Sequence, residues 1–120
     1  MINVLVCEDN PMTLRTVEYA LKKAGFYVYK AKDGMEGIGI LGEQKVDVLI
    51  TDINMPFTKG LELVRHVKEH VDASMPVIII SGINLKETQD HARELGATGY
   101  LTKPLDLDKL VSMIHESMPF

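Results

Sequence analysis

The sequence has no tryptophan and a single cysteine among its 120 residues, and it contains no low-complexity segment or internal repeat. A single cysteine cannot form a disulfide within the chain, and this suits a reducing compartment such as the cytoplasm. We therefore predict a cytoplasmic protein in which Cys7 is a small buried side chain rather than a reactive thiol.

Long apolar runs and clusters of positive charge are also missing. The apolar runs at residues 46–50 and 77–80 fall far short of the ~20 residues that a membrane-spanning helix needs. Residues 1–20 lack the basic start and long apolar core of a signal peptide, because Glu8 and Asp9 interrupt them. The net charge of −4 argues against direct binding of nucleic acid. We expect neither a membrane nor a nucleic acid among the partners.

The chain does contain short apolar runs that alternate with helix-like segments. These runs cover residues 2–7, 27–31, 46–51, 77–80 and 99–101. Most are rich in Val and Ile and nearly unbroken in apolarity, which is typical of strands buried on both faces. The alternation predicts one domain over residues 1–120 with a flavodoxin-like, doubly wound α/β fold. We expect a five-stranded parallel sheet in the order 2-1-3-4-5, with five helices.

The ends of the predicted helices differ in how clearly the sequence marks them. Asn10 followed by Pro11 is a strong signal for the start of the first helix. Asn84 and Glu87 have the spacing of a variant capping box for the fourth. The second helix, near residues 35–41, is the weakest, since a glycine within a helix costs about 1 kcal/mol relative to alanine. The third and fifth helices are expected after Gly60 and at residues 106–117.

Polar side chains follow four of the predicted strands at the point where each strand ends. They are Glu8 and Asp9 after the first strand, Asp52 and Asn54 after the third, Ser81 after the fourth and Lys103 after the fifth. Because the carboxyl ends of parallel strands meet at one edge, where ligands bind in this kind of fold, we expect these residues to share a crevice. Met55 and Pro56 are predicted to turn the backbone so that the next residues rim it.

The residue types in this crevice indicate phosphoryl chemistry. Three carboxylates packed closely repel one another, so one would keep its proton unless a cation intervenes. An oxygen-rich pocket suits Mg²⁺, and a lysine, a hydroxyl and a divalent cation together match the charge of a phosphoryl group. An aspartyl carboxylate can accept a phosphoryl group covalently, and Asp52 is the carboxylate that the crevice presents.

Four segments, "VLVCEDNP", "VDVLITDINMP", "VIIISG" and "GYLTKPL", resemble the signature segments of bacterial response regulator receiver domains. The resemblance covers the whole chain, and the segments occur in the family's order at compatible spacing. It implies that Asp52 is the phosphoacceptor and that Mg²⁺ is bound by Asp9, Asp52 and the backbone carbonyl of Asn54, with Glu8 acting largely through a water molecule on the metal.

The resemblance also implies roles for residues that contact the phosphoryl group or respond to it. Ser81 would hydrogen-bond a phosphoryl oxygen, Lys103 would pair with the phosphoryl group, and Tyr100 would be the switch aromatic that moves inward. Lys103 and Pro104 are a candidate cis pair, since X-Pro bonds tolerate that geometry.

The function implied is a phosphorylation-activated signalling switch of a two-component system, rather than an enzyme. A sensor histidine kinase or histidine phosphotransferase would donate the phosphoryl group, and the domain would assist its own phosphotransfer and dephosphorylation. A downstream effector protein, or a fused output domain, would respond to the surface formed by helix 4, strand 5 and helix 5.

Three alternatives belong to other classes. A haloacid-dehalogenase-type phosphatase also uses a nucleophilic aspartate with Mg²⁺, but it would need a second Asp at the position of Asn54 and usually carries a cap domain. A flavodoxin-like nucleotide or flavin binder would need a glycine-rich phosphate loop after the first strand. A receiver that docks partners independently of phosphate is disfavoured by the intact acidic residues.

Two further sets of residues have competing interpretations. Tyr100 could simply fill apolar space, since a large aromatic ring packs well wherever it lies. His66 and His70 have the i, i+4 spacing of a helical metal site, but no third ligand is evident, so we favour a solvated helix face.

Overall fold

The computed structural model describes residues 1–55 and 58–119, so the predicted turn at Pro56 lies outside the described residues. The strands are β1 (Asn3–Cys7), β2 (Tyr27–Ala31), β3 (Val48–Asp52), β4 (Val77–Ser81) and β5 (Gly99–Thr102). The helices are α1 (Pro11–Lys23), α2 (Gly34–Glu43), α3 (Gly60–His66), α4 (Lys86–Glu94) and α5 (Leu107–Ser117), and a π-helical turn, Val67–Val71, continues α3.

The five strands form one parallel sheet in the order β2-β1-β3-β4-β5, which confirms the predicted flavodoxin-like topology. The register aligns the carboxyl ends of the strands. Cys7 pairs with Thr51, and Ser81 pairs with Thr102. The residues that directly follow or end these strands therefore lie along one edge, the carboxyl edge of the sheet.

Helices cover both faces of this sheet. Val4, Val6 and their neighbours on one face pack against α1 and α5, with Val17 and Leu110 fully buried there. Leu5 and the side chains alternating with the first set pack on the opposite face against α2, α3 and α4. Both faces are apolar because both are covered, and this is the reason that the strands read as nearly continuous apolar runs.

The boundaries of the strands differ slightly from the predicted ones. β3 begins at Val48 rather than at residue 46 and includes Asp52 as its last residue. The side chain of Asp47 instead accepts a hydrogen bond from the Asn3 N–H at 2.8 Å, at the opposite edge of the sheet. Asp52 is thus positioned by the strand itself and not by a loop.

The predicted cap of α1 was correct, and the predicted cap of α4 was not. The side chain of Asn10 accepts hydrogen bonds from the N–H groups of Met12 and Thr13, which confirms the predicted cap of α1. The capping box predicted at Asn84 is wrong. Leu85 precedes α4 in an extended conformation without a side-chain cap, and the Asn84 Oδ1 accepts from Gln89 Nε2 instead.

α2 is better defined than its glycine content suggests. Asp33 Oδ1 accepts from the Glu36 N–H at 2.8 Å, and Glu36 Oε1 accepts from the Lys32 N–H at 2.9 Å, so two side chains cap the first turn. A Cβ on Gly37 would lie 2.7 Å from Cys7 Sγ, so the glycine lets α2 pack closely on β1. No helix in the described ranges is long and apolar enough to cross a membrane.

Candidate functional site

Three acidic side chains converge at the carboxyl edge. Carboxylate oxygens of Glu8, Asp9 and Asp52 all lie within 4.8 Å of one another. Glu8 and Asp52 are only 1% and 6% exposed, whereas Asp9 is open to solvent. Two of the three charges are therefore largely shielded from water, and the third gives access to the cluster from outside.

Lys103 lies among these carboxylates and bridges two of them. Its Nζ is 2.5 Å from Glu8 Oε1 and 2.6 Å from Asp52 Oδ2. Its main-chain N–H donates to the carbonyl oxygen of Ser81 at 2.7 Å, which holds the residue after β5 against the end of β4. The bond from Lys103 to Pro104 is cis, as predicted. The Lys103 side chain thus extends from the end of the edge strand β5 to carboxylates at the ends of β1 and β3, and these contacts fix the position of its ammonium group.

The oxygens that Lys103 does not use accept hydrogen bonds from the adjacent loops. Glu8 Oε2 accepts from the Asn10 N–H, and Asp52 Oδ1 accepts from the Asn54 N–H, each at 3.2 Å. Among the described residues, no buried side-chain nitrogen or oxygen lacks a partner. The buried part of the cluster is therefore satisfied, and the side chains of Glu8 and Asp52 are each oriented by the loop that follows them.

Burial and pairing act in opposite directions on these groups. Burial raises the pKa of Glu8 above its ordinary value, although the hydrogen bonds from Lys103 and Asn10 lower it in part. Burial lowers the pKa of Lys103, but its hydrogen bonds to Asp52 and Glu8 outweigh this, and the pKa of Lys103 is raised. The lysine is therefore firmly cationic, and burial favours the neutral form of Glu8.

The donor set fits a hard divalent cation. Oxygen ligands are what Mg²⁺ prefers, and it needs few of them from the protein because it keeps several waters. Within residues 1–55 and 58–119 this is the one group of three acidic, histidine or cysteine side chains close enough to share an ion. The ring centres of His66 and His70 are 5.5 Å apart, but no third ligand joins them in that part of the chain.

Ser81 and Tyr100 are connected through the main chain of Ile83. The Ser81 Oγ accepts from the Ile83 N–H at 3.0 Å, and the Tyr100 hydroxyl donates to the Ile83 carbonyl oxygen at 2.7 Å. Ser81 is buried, while Tyr100 is half-buried against the core on the α2, α3 and α4 face. Ser81 at the crevice and Tyr100 on the edge strand β5 thus both hydrogen-bond the main chain of Ile83.

Sequence reasoning brought the charged residues together but missed two features of the site. The first is the pairing of Lys103 with Glu8, because only the ion pair of Lys103 with a phosphoryl group was considered. The second is the bridging role of Ile83, which uses main-chain atoms and so leaves no signal in the sequence. Cys7 is fully buried, and burial raises the pKa of its thiol to about 12, as expected of an inert core residue.

Residues 4–115 match the family model of the response regulator receiver domain. The fold, the acidic cluster and this match agree, and the chain belongs to that family. It is a receiver domain of the signalling proteins called response regulators, which work in two-component systems.

Relatives with established names support the assignment. The chain is 32% identical over 114 residues to the cell cycle transcriptional regulator CtrA of Caulobacter vibrioides, and this covers 95% of the chain but 49% of that regulator. It is 31% identical over 116 residues to protein PilH of Pseudomonas aeruginosa, covering 96% of each. The chain thus spans about half the length of the Caulobacter relative and nearly all of PilH.

Solved structures of similar shape include two receivers. The chemotaxis response regulator CheY4 of Vibrio cholerae has a TM-score of 0.91 at 28% identity, covering 98% of this chain and 99% of that one. The receiver domain of Francisella response regulator 1452 has a TM-score of 0.92 at 26% identity, covering 98% and 96%.

Proposed function

We propose that this chain acts as a single receiver domain whose phosphoacceptor is Asp52, with Mg²⁺ as its cofactor. A sensor histidine kinase or a histidine phosphotransferase donates the phosphoryl group, and the phosphorylated surface is recognised by a downstream protein or a fused output domain. The proposal puts the chain in the cytoplasm, a compartment that keeps its free Cys7 reduced.

One observation carries the proposal: Lys103 Nζ lies 2.6 Å from Asp52 Oδ2 while the carboxylates of Glu8 and Asp9 lie within 4.8 Å of that same side chain. Phosphoryl transfer needs an acceptor carboxylate, a cation that can follow the transferred charge and two further carboxylates that can bind a metal ion. Neither a lone turn-forming aspartate nor a structural ion pair requires all of them.

The residues that would hold Mg²⁺ are Glu8, Asp9, Asp52 and the backbone carbonyl of Asn54. Bound there, the ion supplies positive charge that neutralises the oxygens of the transferred group and orients them. Asp9 is exposed and would hold the ion from the solvent side, whereas Glu8 and Asp52 are buried and would hold it from within the sheet edge. The Asn54 N–H bond to Asp52 Oδ1 keeps the loop that carries the carbonyl close to the acceptor.

In the transfer step a carboxylate oxygen of Asp52 forms a bond to phosphorus as the bond from phosphorus to the donor's imidazole nitrogen breaks. The imidazole takes the electron pair of the broken bond, and Asp52 becomes an acyl phosphate. Lys103 can follow the negative charge from the carboxylate to the phosphoryl oxygens because its Nζ already lies at the acceptor. Hydrolysis by water later restores Asp52, a step the domain assists through the same residues.

The conformational response is expected to begin at Ser81. Its hydroxyl turns toward a phosphoryl oxygen, which weakens the bond that its Oγ accepts from the Ile83 N–H. Tyr100 holds the other side of Ile83 and therefore responds to the same movement. This is how a new charge at Asp52 would reach the surface of α4, β5 and α5, where the downstream partner binds.

The test is a reaction with acetyl phosphate or beryllofluoride in the presence of Mg²⁺, followed by intact-protein mass spectrometry. We expect one adduct on the parent chain, none after chelation of Mg²⁺ and none on Asp52→Asn. The matched control is Asp47→Asn, which alters a carboxylate directly before the opposite end of β3 and should react like the parent. An adduct that persists on Asp52→Asn would overturn the assignment of the acceptor.

A further inference from the structure

The start of α3 lies directly against the backbone of Asp52. A Cβ on Gly60 would overlap the carbonyl oxygen of Asp52 and would lie 2.8 Å from the Ile53 Cα. The Gly60 N–H also donates to the Ile53 carbonyl oxygen at 2.9 Å. The absence of a side chain at Gly60 therefore sets how closely the helix can approach the end of β3.

The start of α2 makes a second close approach, to the same loop. A Cβ on Gly34 would overlap the carbonyl oxygen and the Cβ of Thr58 and would lie 2.9 Å from the Thr58 carbonyl carbon. Gly34 is buried, and Thr58 precedes Gly60 by two positions in the chain. Contact from α2 can thus reach the backbone of Asp52 through Thr58 and Gly60.

The first turn of α2 is held firmly enough to act as a support. Asp33 caps it through the Glu36 N–H, and Glu36 in turn accepts from the Lys32 N–H. Two other glycines of α2, Gly39 and Gly42, would meet nothing within 4 Å if they carried a Cβ. The requirement at Gly34 is therefore a close contact with the loop and not a property of the helix as a whole.

We propose that Gly34 is a positioning residue for the phosphorylation site, acting through Thr58 and Gly60 on the backbone of Asp52. The inference rests on the proposed function of Asp52. Any side chain at Gly34 would push Thr58 away from α2 and, through Gly60, shift the backbone of Asp52, whose carboxylate would help to hold Mg²⁺. Metal affinity depends steeply on such supporting contacts.

Gly34→Ala tests the proposal, with Gly39→Ala as the matched control in the same helix. Calorimetric titration with Mg²⁺ alone measures the dissociation constant without any phosphodonor. We expect Gly34→Ala to raise this constant about tenfold and Gly39→Ala to leave it within twofold of the parent. The Mg²⁺ concentration needed for half-maximal reaction with acetyl phosphate should shift in parallel.

A second pair of variants keeps the test decisive where Gly34→Ala does not fold. Thr58→Gly removes the Cβ that faces Gly34, whereas Thr58→Ala retains it. We expect Thr58→Gly to weaken Mg²⁺ binding several-fold and Thr58→Ala to resemble the parent. Circular dichroism and thermal melts identify the folded variants, because a purely structural glycine would lower the melting temperature and leave Mg²⁺ affinity unchanged.

The outcomes separate this inference from the function on which it rests. Folded Gly34→Ala or Thr58→Gly that binds Mg²⁺ like the parent overturns the positioning role and leaves the phosphoacceptor intact. Equal weakening by Gly39→Ala also overturns it, since helix composition would then be the cause. A parent chain that binds no Mg²⁺ and takes up no beryllofluoride contradicts the proposed function itself.

Discussion

The two edges of the sheet use polar side chains in different ways. At the amino edge these side chains bind main-chain groups of neighbouring loops, and the one further partner among those named is the Ser74 hydroxyl, which donates to Asp72 Oδ1. Asp72 Oδ1 accepts from the Ser74 N–H at 2.9 Å, Thr98 Oγ1 accepts from the Val77 N–H at 2.9 Å, and Lys68 Nζ donates to the carbonyl oxygens of Ala73 and Met75. At the carboxyl edge, charged side chains bind one another.

This difference indicates which edge of the sheet can exchange its ionic partners. The polar side chains at the amino edge hold main-chain groups in place, so removing one of them disturbs a loop. At the carboxyl edge the ionic partners can be exchanged. An incoming cation can take the place of the Lys103 ammonium, and an incoming anion can pair with Lys103 in place of Glu8 or Asp52. The amino edge maintains the fold, and the carboxyl edge is available for chemistry.

The largest effect should come from removing the cation at the carboxyl edge. Lys103→Met leaves Glu8 and Asp52 buried without their ammonium, and we expect the free energy of unfolding at neutral pH to fall by about 3 kcal/mol. Urea unfolding followed by circular dichroism measures it. Millimolar Mg²⁺ should restore more stability to this variant than it adds to the parent, because the ion replaces the missing charge.

The counterpart at the amino edge is Lys68→Met. Its ammonium serves only main-chain carbonyl groups among its described contacts, so the loss should be about 1 kcal/mol and Mg²⁺ should not reverse it. If Mg²⁺ rescued both variants equally, or neither, the contrast between the two edges would be wrong.

A smaller effect, of opposite sign, is expected for Glu8→Gln. The pKa of Glu8 is raised in the folded chain, so its contribution to stability is fully present below the ordinary value of 4.5 and is lost as pH rises through the folded pKa. Glutamine cannot ionise and avoids that loss. The variant should be more stable than the parent by about 1 kcal/mol at neutral pH without Mg²⁺, and the gap should close in acid. A less stable variant at neutral pH would mean that pairing with Lys103 outweighs burial.

The smallest effect is expected for Asp72→Asn at the amino edge. Hydrogen bonds from Ser74 lower the pKa of Asp72, so its contribution is present above the ordinary value of 3.8 and is lost as pH falls below it. The variant should be slightly less stable than the parent at neutral pH and equal to it in acid, so the stability change is opposite in sign to that of Glu8→Gln over the same pH range. Its reaction with acetyl phosphate should be unchanged.

The arrangement of the carboxyl edge could be predicted because strand order converts distant positions into neighbours. Glu8 and Lys103 are 95 positions apart in the chain and still meet, since β1 and β5 both end at this edge. What could not be predicted is that the lysine bridges Glu8 and Asp52. Whether a long side chain reaches one carboxylate or two depends on its conformation, which patterns of residue type do not encode.

The helix starts were less predictable for a different reason. Asn84 and Glu87 have the spacing of a capping box, as Asp33 and Glu36 do, but only in the second pair do both side chains accept from main-chain N–H groups at the helix start. Asp33 directly precedes α2, whereas Leu85 stands between Asn84 and the first residue of α4. The pattern of residue types does not fix a helix start to within one residue.

The bridge made by Lys103 has a consequence for how strongly anything can be held at this site. A cation bound by Glu8 and Asp52 would meet carboxylates that Lys103 already pairs with, so its net affinity would be the difference between the two pairings. When such a cation leaves, Lys103 is in place to pair with both carboxylates again. The site would therefore regain its resting arrangement without any unfolding of the chain.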